Sequence, residues 1–248
     1  MGHSGTVAVM GAGALGLTTA KLLQEAGIAV RIYAEDLPPH TTSNVAGGQV
    51  NPASVFRQSA VDDAFMRQFE AAVDYSFRRF QISVGEDTGV RWLTTYDPAL
   101  DRPLSALEQR IMPAARVLRE GQHPFPFPLV REWRTMYVET GRWLDHLMRD
   151  LRIGGAQIER RKLNTPAEVA ALPESLVFNC TGLGARTLFG DDELTPAKGQ
   201  LTFLAPQTEV NYRTQGGLTP QPGLGLHMMP RADGIVLGGG HNGLICGG

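Results

Sequence analysis

Cysteine is scarce. The 248 residues hold two, Cys180 and Cys246, and they form neither a metal-ligand spacing nor a disulfide framework. Two unrelated thiols fit a reducing compartment. Charge of one sign is also lacking. Twenty-three Lys and Arg face 25 Asp and Glu, for a net charge of -2. That balance gives no electrostatic reason to expect nucleic acid or an anionic membrane as a partner. No uninterrupted apolar run reaches membrane-spanning length. The opening MGHSGTVAVMGAG has no apolar core fit for a signal peptide. The expectation is therefore a cytoplasmic protein with no membrane and no nucleic-acid partner. The six histidines are scattered and suggest neither a metal site nor a catalytic triad. Hydrophobic residues at 42% and charged residues at 19% read as an ordinary soluble globular chain rather than disorder. Its length allows one or two domains.

What is abundant is glycine, at 29 residues. Many of them punctuate a strand–turn–helix–strand opening. Thr6–Met10 is a short β-rich run, GAGALG follows, and LTTAKLLQEAG has one apolar helical face closed by Gly27. Ile28–Ala34 reads as a second strand. This is the start of a doubly wound α/β domain. Residues 35–60 lack periodicity, and Val61–Phe80 is helical in pattern, with Asp62 or Asp63 as its cap. From Gly85 to Trp133 short apolar runs alternate with prolines, a β-rich and turn-rich texture. A helix is expected over Thr140–Arg152, then a strand in AQIERRKL. SLVFNCTGLGA reads as a buried strand entering a Gly-rich turn, and GQLTFLA and GIVLGGG as strands.

Gly11, Gly13 and Gly16 form G-x-G-x-x-G. The first glycine permits the tight turn, the second lets pyrophosphate approach the backbone, and the third lets helix and sheet pack closely. The helix N-terminus offers free N–H groups to phosphate. Glu35 ends the second strand at the separation suited to a ribose hydroxyl. A glycine-rich turn beside an unrelated surface Glu is the plainer alternative. These features fit a nicotinamide or a flavin dinucleotide equally.

YAEDLPPHTTSNVAGG (residues 33–48) decides more. It resembles the second strand and following loop of the D-amino-acid oxidase family of FAD-dependent amine oxidoreductases. Three later stretches resemble that family in the same order: YVETGRWLDHLMRDLRIGGAQIERRKL, VFNCTGLGARTLFGDDELTPAKGQ and MMPRADGIVLGGG. The resemblance implies an α/β fold: a Rossmann-like FAD-binding domain with an inserted β-rich (α+β) substrate domain, incomplete at the C-terminus. The FAD-binding domain is expected over 1–84 and 136–200, and the substrate domain over 85–135 and 201–248.

The resemblance implies FAD contacts at Gly11, Gly13, Ala14, Leu15 and Gly16, and at Glu35 and Asp36. It adds Thr41, Thr42 and Ser43 near the pyrophosphate, and Gly47, Gly48 and Gln49 at the flavin. Leu163 would meet adenine through its backbone, and Thr181 and Gly182 would pack near the dinucleotide. Short hydroxyls and bare amides suit anionic phosphate and a flavin edge that gains charge on reduction. Plainer readings exist for these residues: a polar loop or helix cap for Thr41–Ser43, a turn for Gly47-Gly48, a small buried hydrophobe for Cys180. Trp92, Trp133 and Trp143 read as core, and Arg160-Arg161-Lys162 as solvated charge.

The implied reaction is oxidative deamination of a D-amino acid to the 2-oxo acid, ammonia and hydrogen peroxide, with a small amino acid and O2 as partners. A homodimer is among the assemblies it allows. No metal is expected. The family forks the substrate carboxylate with an Arg, helped by a Tyr. That Arg lies past the "LGGT" strand, and this sequence stops at HNGLICGG. His227 stands where the Tyr is often found, and Arg231 is the Arg near the expected substrate face. No catalytic residue is otherwise assigned. The chain is thus expected to be a truncated member or fragment. Glycine or sarcosine oxidation, D-aspartate oxidation, a non-catalytic dinucleotide-binding relic and a nicotinamide dehydrogenase are the alternatives.

Overall fold

The computed structural model describes residues 5–52, 59, 61–98, 103–196, 201–216 and 224–241. These fall into two compact units, one built from 5–46 and 140–196, the other from the described parts of 47–139 and 197–241.

The first unit is a parallel sheet. β1 (Val7–Met10) leads into α1 (Ala14–Glu25) and β2 (Val30–Ala34), and a 3-10 turn covers Thr42–Val45. The chain returns as α2 (Thr140–Ile153), β3 (Gln157–Arg160), α3 (Pro166–Ala170), β4 (Val177–Asn179) and α4 (Gly184–Phe189). The strand order is β3-β2-β1-β4, all parallel. Alternation along the strands sends Val9 and Ile32 to one face and Ala8 and Tyr33 to the other. Val9 and Ile32 pack with Leu17 and Ala20 of α1 and Leu144, Leu147 and Leu151 of α2. Each fully buried aliphatic side chain contributes roughly 1.5–3 kcal/mol, so this layer holds both helices to the sheet. Ala8 and Tyr33 pack instead with Leu172.

The second unit opens with α5 (Asp63–Ile82), capped by Asp62 Oδ1 accepting from Phe65 N–H at 2.7 Å. β5 (Val90–Pro98), α6 (Ala106–Ile111), β6 (Arg116–Arg119) and β7 (Leu129–Val138) follow. β8 (Leu201–Leu204), β9 (Tyr212–Thr214), β10 (Leu224–Arg231) and β11 (Gly234–His241) complete it. They form one seven-stranded sheet in the order β6-β7-β5-β9-β10-β11-β8, antiparallel except for the β5–β9 pair. Leu93, Tyr137, Met229 and Val236 form a buried cluster on it.

The two compact units divide at 46/47, with α5 on the side of the second sheet. There Phe77 meets Trp92 edge-on at 6.1 Å, and Glu70 and Asp74 bind Arg110, each at 3.1 Å. Apolar periodicity marks a helix without saying which sheet it serves. The chain re-enters the first compact unit at Thr140, after β7 has kept its ladder to Val138. The expected burial of SLVFNCTG fails. β4 is an edge strand paired only to β1 among the described residues, and Phe178 is 37% exposed. Cys180 is half-buried, its thiol 3.7 Å from Thr19 Oγ1. Trp133 is fully buried, as a core reading requires. The C-terminal residues 242–248, and Cys246 with them, lie outside the described residues. No described helix is long and apolar enough to cross a membrane.

Candidate functional site

In the first unit the chain leaves β1 toward β2 on one side and later places β4 on the other. That reversal of strand order is a topological switch point, and the crevice outside the strands' carboxyl ends is where such sheets bind ligands. Gly11, Gly13, Glu35 and Thr181 all stand just past those ends.

Each glycine of the fingerprint has its own reason. Gly11 has φ +105, and a Cβ there would lie 2.4 Å from the Cys180 carbonyl oxygen. A Cβ on Gly16 would lie 1.9 Å from the Gly11 oxygen, so α1 could not sit as it does. A Cβ on Gly13 would lie 2.9 Å from Ser43 Oγ. Gly13 is the N-cap of α1, with no side-chain cap and no acid in the first turn. Ser43 Oγ accepts the Ala14 N–H at 2.9 Å. Accepting there leaves the hydroxyl's own proton available to donate to a further group. Leu15, next along, is 73% exposed.

The loop residues divide. Thr41 N–H and Oγ1–H both donate to Asn44 Oδ1, at 3.3 and 2.7 Å, so Thr41 holds its own turn. Thr42 is exposed. Asn44 Nδ2 is buried without a partner, an unmet donor in the same turn. Glu35 and Asp36 are exposed and drawn to β3: Lys162 Nζ meets Glu35 Oε1 at 2.7 Å and Arg160 meets Asp36 at 3.5 Å. Arg160, Arg161 and Lys162 are all exposed, so the run is solvated charge as read, with surface ion pairs to the acids. Leu163 is half-buried against the Ala8–Tyr33–Leu172 cluster. Thr181 N–H and Oγ1–H both donate to Asn179 Oδ1, and Gly182 has φ +55. A bare helix end, a donor-rich loop, an acid at the second strand and close-approach glycines fit a dinucleotide.

In the second unit Gly47 lies against Met229, whose Cε would be 2.9 Å from an added Cβ. Gly48 has φ +75, and its carbonyl accepts from Val138 N–H at 2.7 Å. The Gln49 side chain turns inward: its Nε2 donates to Gln215 Oε1 at 2.9 Å and its Oε1 accepts from Arg213. Arg231 Nε donates to the Tyr137 hydroxyl at 3.2 Å. Burial raises the Tyr137 hydroxyl above its ordinary pKa, so it stays protonated. Burial, then the charge of Arg213, lowers His227 and keeps the imidazole neutral near pH 7. Its Nδ1 accepts weakly from Gly216 N–H at 3.5 Å. A 430 Å³ cavity in this unit is bounded by Asp97, Glu108, Arg131, Trp133, Gln215 and Gly216 among others. Burial pushes Asp97 up to about 6, against the opposing pull of Arg131 and Trp133.

The profile of the DAO family, FAD dependent oxidoreductase, matches residues 6–244. The chain belongs to this family. Among its relatives is a D-amino-acid oxidase of Streptomyces coelicolor, 29% identical, with 96% of this chain and 70% of the relative covered. A human D-aspartate oxidase is 27% identical, with 94% and 67% covered. A glycine oxidase structure from Geobacillus kaustophilus matches with a TM-score of 0.62 at 15% identity, covering 96% of this chain and 72% of that one. This chain is thus a DAO-family flavin oxidoreductase by descent, and its family resemblance and mixed α/β fold stand as read from the sequence.

Four second-unit residues escaped the sequence reading: Tyr137, Asp97, Arg131 and Arg213. Arg213 left a faint signal, a single charge inside the short β-run Y-R-T. Tyr137 left none, since a tyrosine ending an apolar strand is ordinary core.

Proposed function

We propose that this chain binds FAD and, in the manner of its D-amino-acid oxidase relatives, oxidises a D-amino acid to the 2-oxo acid, with ammonia and hydrogen peroxide as the other products. The observation that carries the reading is the bare N-terminus of α1, where Gly11 and Gly16 admit no side chain, Gly13 leaves the helix end open and Ser43 supplies a hydroxyl. In this reading Gly11–Gly16, Thr42 and Ser43 hold the pyrophosphate, Glu35 takes a ribose hydroxyl, and Asp36, Leu163, Thr181 and Gly182 flank the adenosine side. Thr41 contributes by holding the turn. In the second unit Gly47, Gly48 and Gln49 offer backbone to the flavin edge. His227, neutral, takes part in substrate contact as an uncharged hydrogen-bonding group. The protein's own tasks are to orient substrate and to stabilise charge. FAD, when bound, supplies the two-electron oxidation and the return of electrons to O2. The balance is one amino acid, O2 and water giving one 2-oxo acid, ammonia and H2O2.

The visible spectrum after FAD addition and gel filtration tests the cofactor. A protein that stays colourless sinks the reading. Anaerobic bleaching by a panel of D-alanine, D-aspartate, glycine and sarcosine then tests the reaction. Bleaching by glycine or sarcosine alone would move the substrate to the glycine-oxidase type. A flavin that nothing bleaches would make the chain a binding fragment without turnover.

A further inference from the structure

The turn Thr42–Val45, which carries Ser43 to the start of α1, has no apolar anchor. Its one buried residue is the polar Asn44, and Val45 is 63% exposed. Packing therefore does not place this turn, and hydrogen bonds must. Those inside it run from Thr41 to Asn44 Oδ1, and from the Asn44 and Ala46 amides to the Thr41 and Ser43 carbonyls. They fix its shape and leave its position open.

Two further bonds tie the turn to helices. Ser43 Oγ accepts from the Ala14 N–H of α1 at 2.9 Å. The other comes from α2. Thr140, the first residue of that helix, donates its hydroxyl proton to the Asn44 carbonyl at 2.9 Å, and the Ala46 carbonyl lies 3.5 Å from the same hydroxyl oxygen. Both helices are fixed on one face of the sheet by a shared apolar layer, Leu17 and Ala20 from α1 and Leu144, Leu147 and Leu151 from α2. The turn is thus tethered to two anchored points. Gly13 gives α1 no side-chain cap of its own. Ser43 supplies that cap from the turn, and the turn is held by a residue 96 positions beyond Asn44.

We propose that Thr140 is a positioning residue of the cofactor site. Its hydroxyl holds the turn so that Ser43 caps α1 and keeps its own proton for the pyrophosphate. The proposal rests on the reading of that site as an FAD site, and adds to it a residue that acts only through Ser43. A binding group that must be ordered when the ligand arrives loses affinity, so a turn without apolar anchorage gains most from a second tether.

The test is flavin-fluorescence titration of the full chain with FAD. Thr140→Val keeps the branched shape and removes the hydroxyl, and should weaken FAD roughly 10-fold, the order of one hydrogen bond. Thr140→Ser returns the hydroxyl and should bind within about 2-fold of the parent. In a Ser43→Ala background, Thr140→Val should cost less than about 2-fold more, because residues that act through one contact do not add. ADP, which has the pyrophosphate and no flavin, should lose affinity for Thr140→Val by the same factor as FAD. In the apoprotein, hydrogen exchange at the Ala14 amide should quicken in Thr140→Val as Ser43 leaves it. Leu151→Ala loosens α2 through packing alone, and should lower the urea midpoint without changing FAD affinity. Equal FAD affinity in Thr140→Val and the parent overturns the proposal. So does the same loss in both Ser43 backgrounds, or a matching loss in Leu151→Ala, since either would make Thr140 a support of the fold and no more. Should Thr140→Val fail to fold, Thr140→Ala, with the stronger helix former, carries the same cycle. A parent that binds neither FAD nor ADP sinks the cofactor reading instead. The Ala14 exchange then decides the link by itself, and an exchange rate unchanged in the Thr140 variant overturns it.

Discussion

A Cβ built on Gly13 would lie 2.9 Å from Ser43 Oγ, the atom that accepts the Ala14 N–H. Gly13→Val therefore pushes aside the hydroxyl and fills the approach to the helix end together. FAD affinity is expected to fall at least about 100-fold, ~2.7 kcal/mol, while urea unfolding of the apoprotein shifts by about 1 kcal/mol, the order of one lost hydrogen bond. Unchanged FAD affinity in flavin-fluorescence titration would place the dinucleotide elsewhere. Asp97 makes a second residue-scale prediction. Its folded pKa, about 6, lies above its ordinary 3.8. The folded state then binds more protons than the unfolded state between those values, so this group's contribution to stability falls as pH rises through the window. The loss is on the order of 3 kcal/mol from pH 3.5 to 7. Asp97→Asn removes it. The difference in unfolding free energy, parent minus variant, should decline across that range and be flat above it. A difference that rises with pH would mean the carboxylate is stabilised by Arg131 instead.

At the scale of elements, α1 packs close on the turn that follows β1. A Cβ on Gly16 would meet the Gly11 oxygen at 1.9 Å, and that oxygen is backbone. Gly16→Ala is expected to cost about 3 kcal/mol or more, because helix and strand must separate. Leu151→Ala in α2, fully buried against the same layer, should cost about 2–5 kcal/mol, and urea midpoints check both. β1, α1, β2 and α2 were legible because their signals are local: glycine spacing, a period of 3.6, a Gly stop. α6 was also written locally and overlooked. Ser105 and Glu108 form a capping box, with Ser105 N–H donating to Glu108 Oε2 at 2.7 Å and Glu108 N–H to Ser105 Oγ at 3.2 Å, which S-x-x-E announces. Other features were not local. The exposure of β4 follows from its place at a sheet edge, and the service of α5 to the second sheet follows from Phe77 and Arg110 contacts. The burial of Arg213 follows from β9 lying between β5 and β10. No window of sequence around Tyr212–Thr214 contains those neighbours, so the half of the candidate site that rests on glycines could be read and the half that rests on sheet register could not.

The whole molecule has two sheets with separate cores, and the residues proposed for FAD come from both units. Ligand that binds only the folded state stabilises it by RT ln(1 + [L]/Kd), about 2.7 kcal/mol at a hundredfold excess over Kd. For a chain of 248 residues this is a rise in melting temperature of roughly 5–10 °C. NAD at the same concentration should give none, since the Thr42–Gln49 passage is the part of the proposed site that favours flavin. Calorimetry then asks a finer question. If the units melt in separate steps and FAD moves only one, the cofactor draws its affinity from the first unit's glycines, Ser43 and Glu35 alone. If both steps move, Gly47, Gly48 and Gln49 contribute binding energy as proposed. The variant Gly47→Val separates these outcomes further. Its added side chain meets the end of the flexible Met229 side chain rather than backbone, so the apoprotein should survive the change. The FAD-dependent rise should shrink in this variant only if the second unit takes part. An undiminished rise in Gly47→Val would remove residues 47–49 from the cofactor site and leave the first unit as the whole of it.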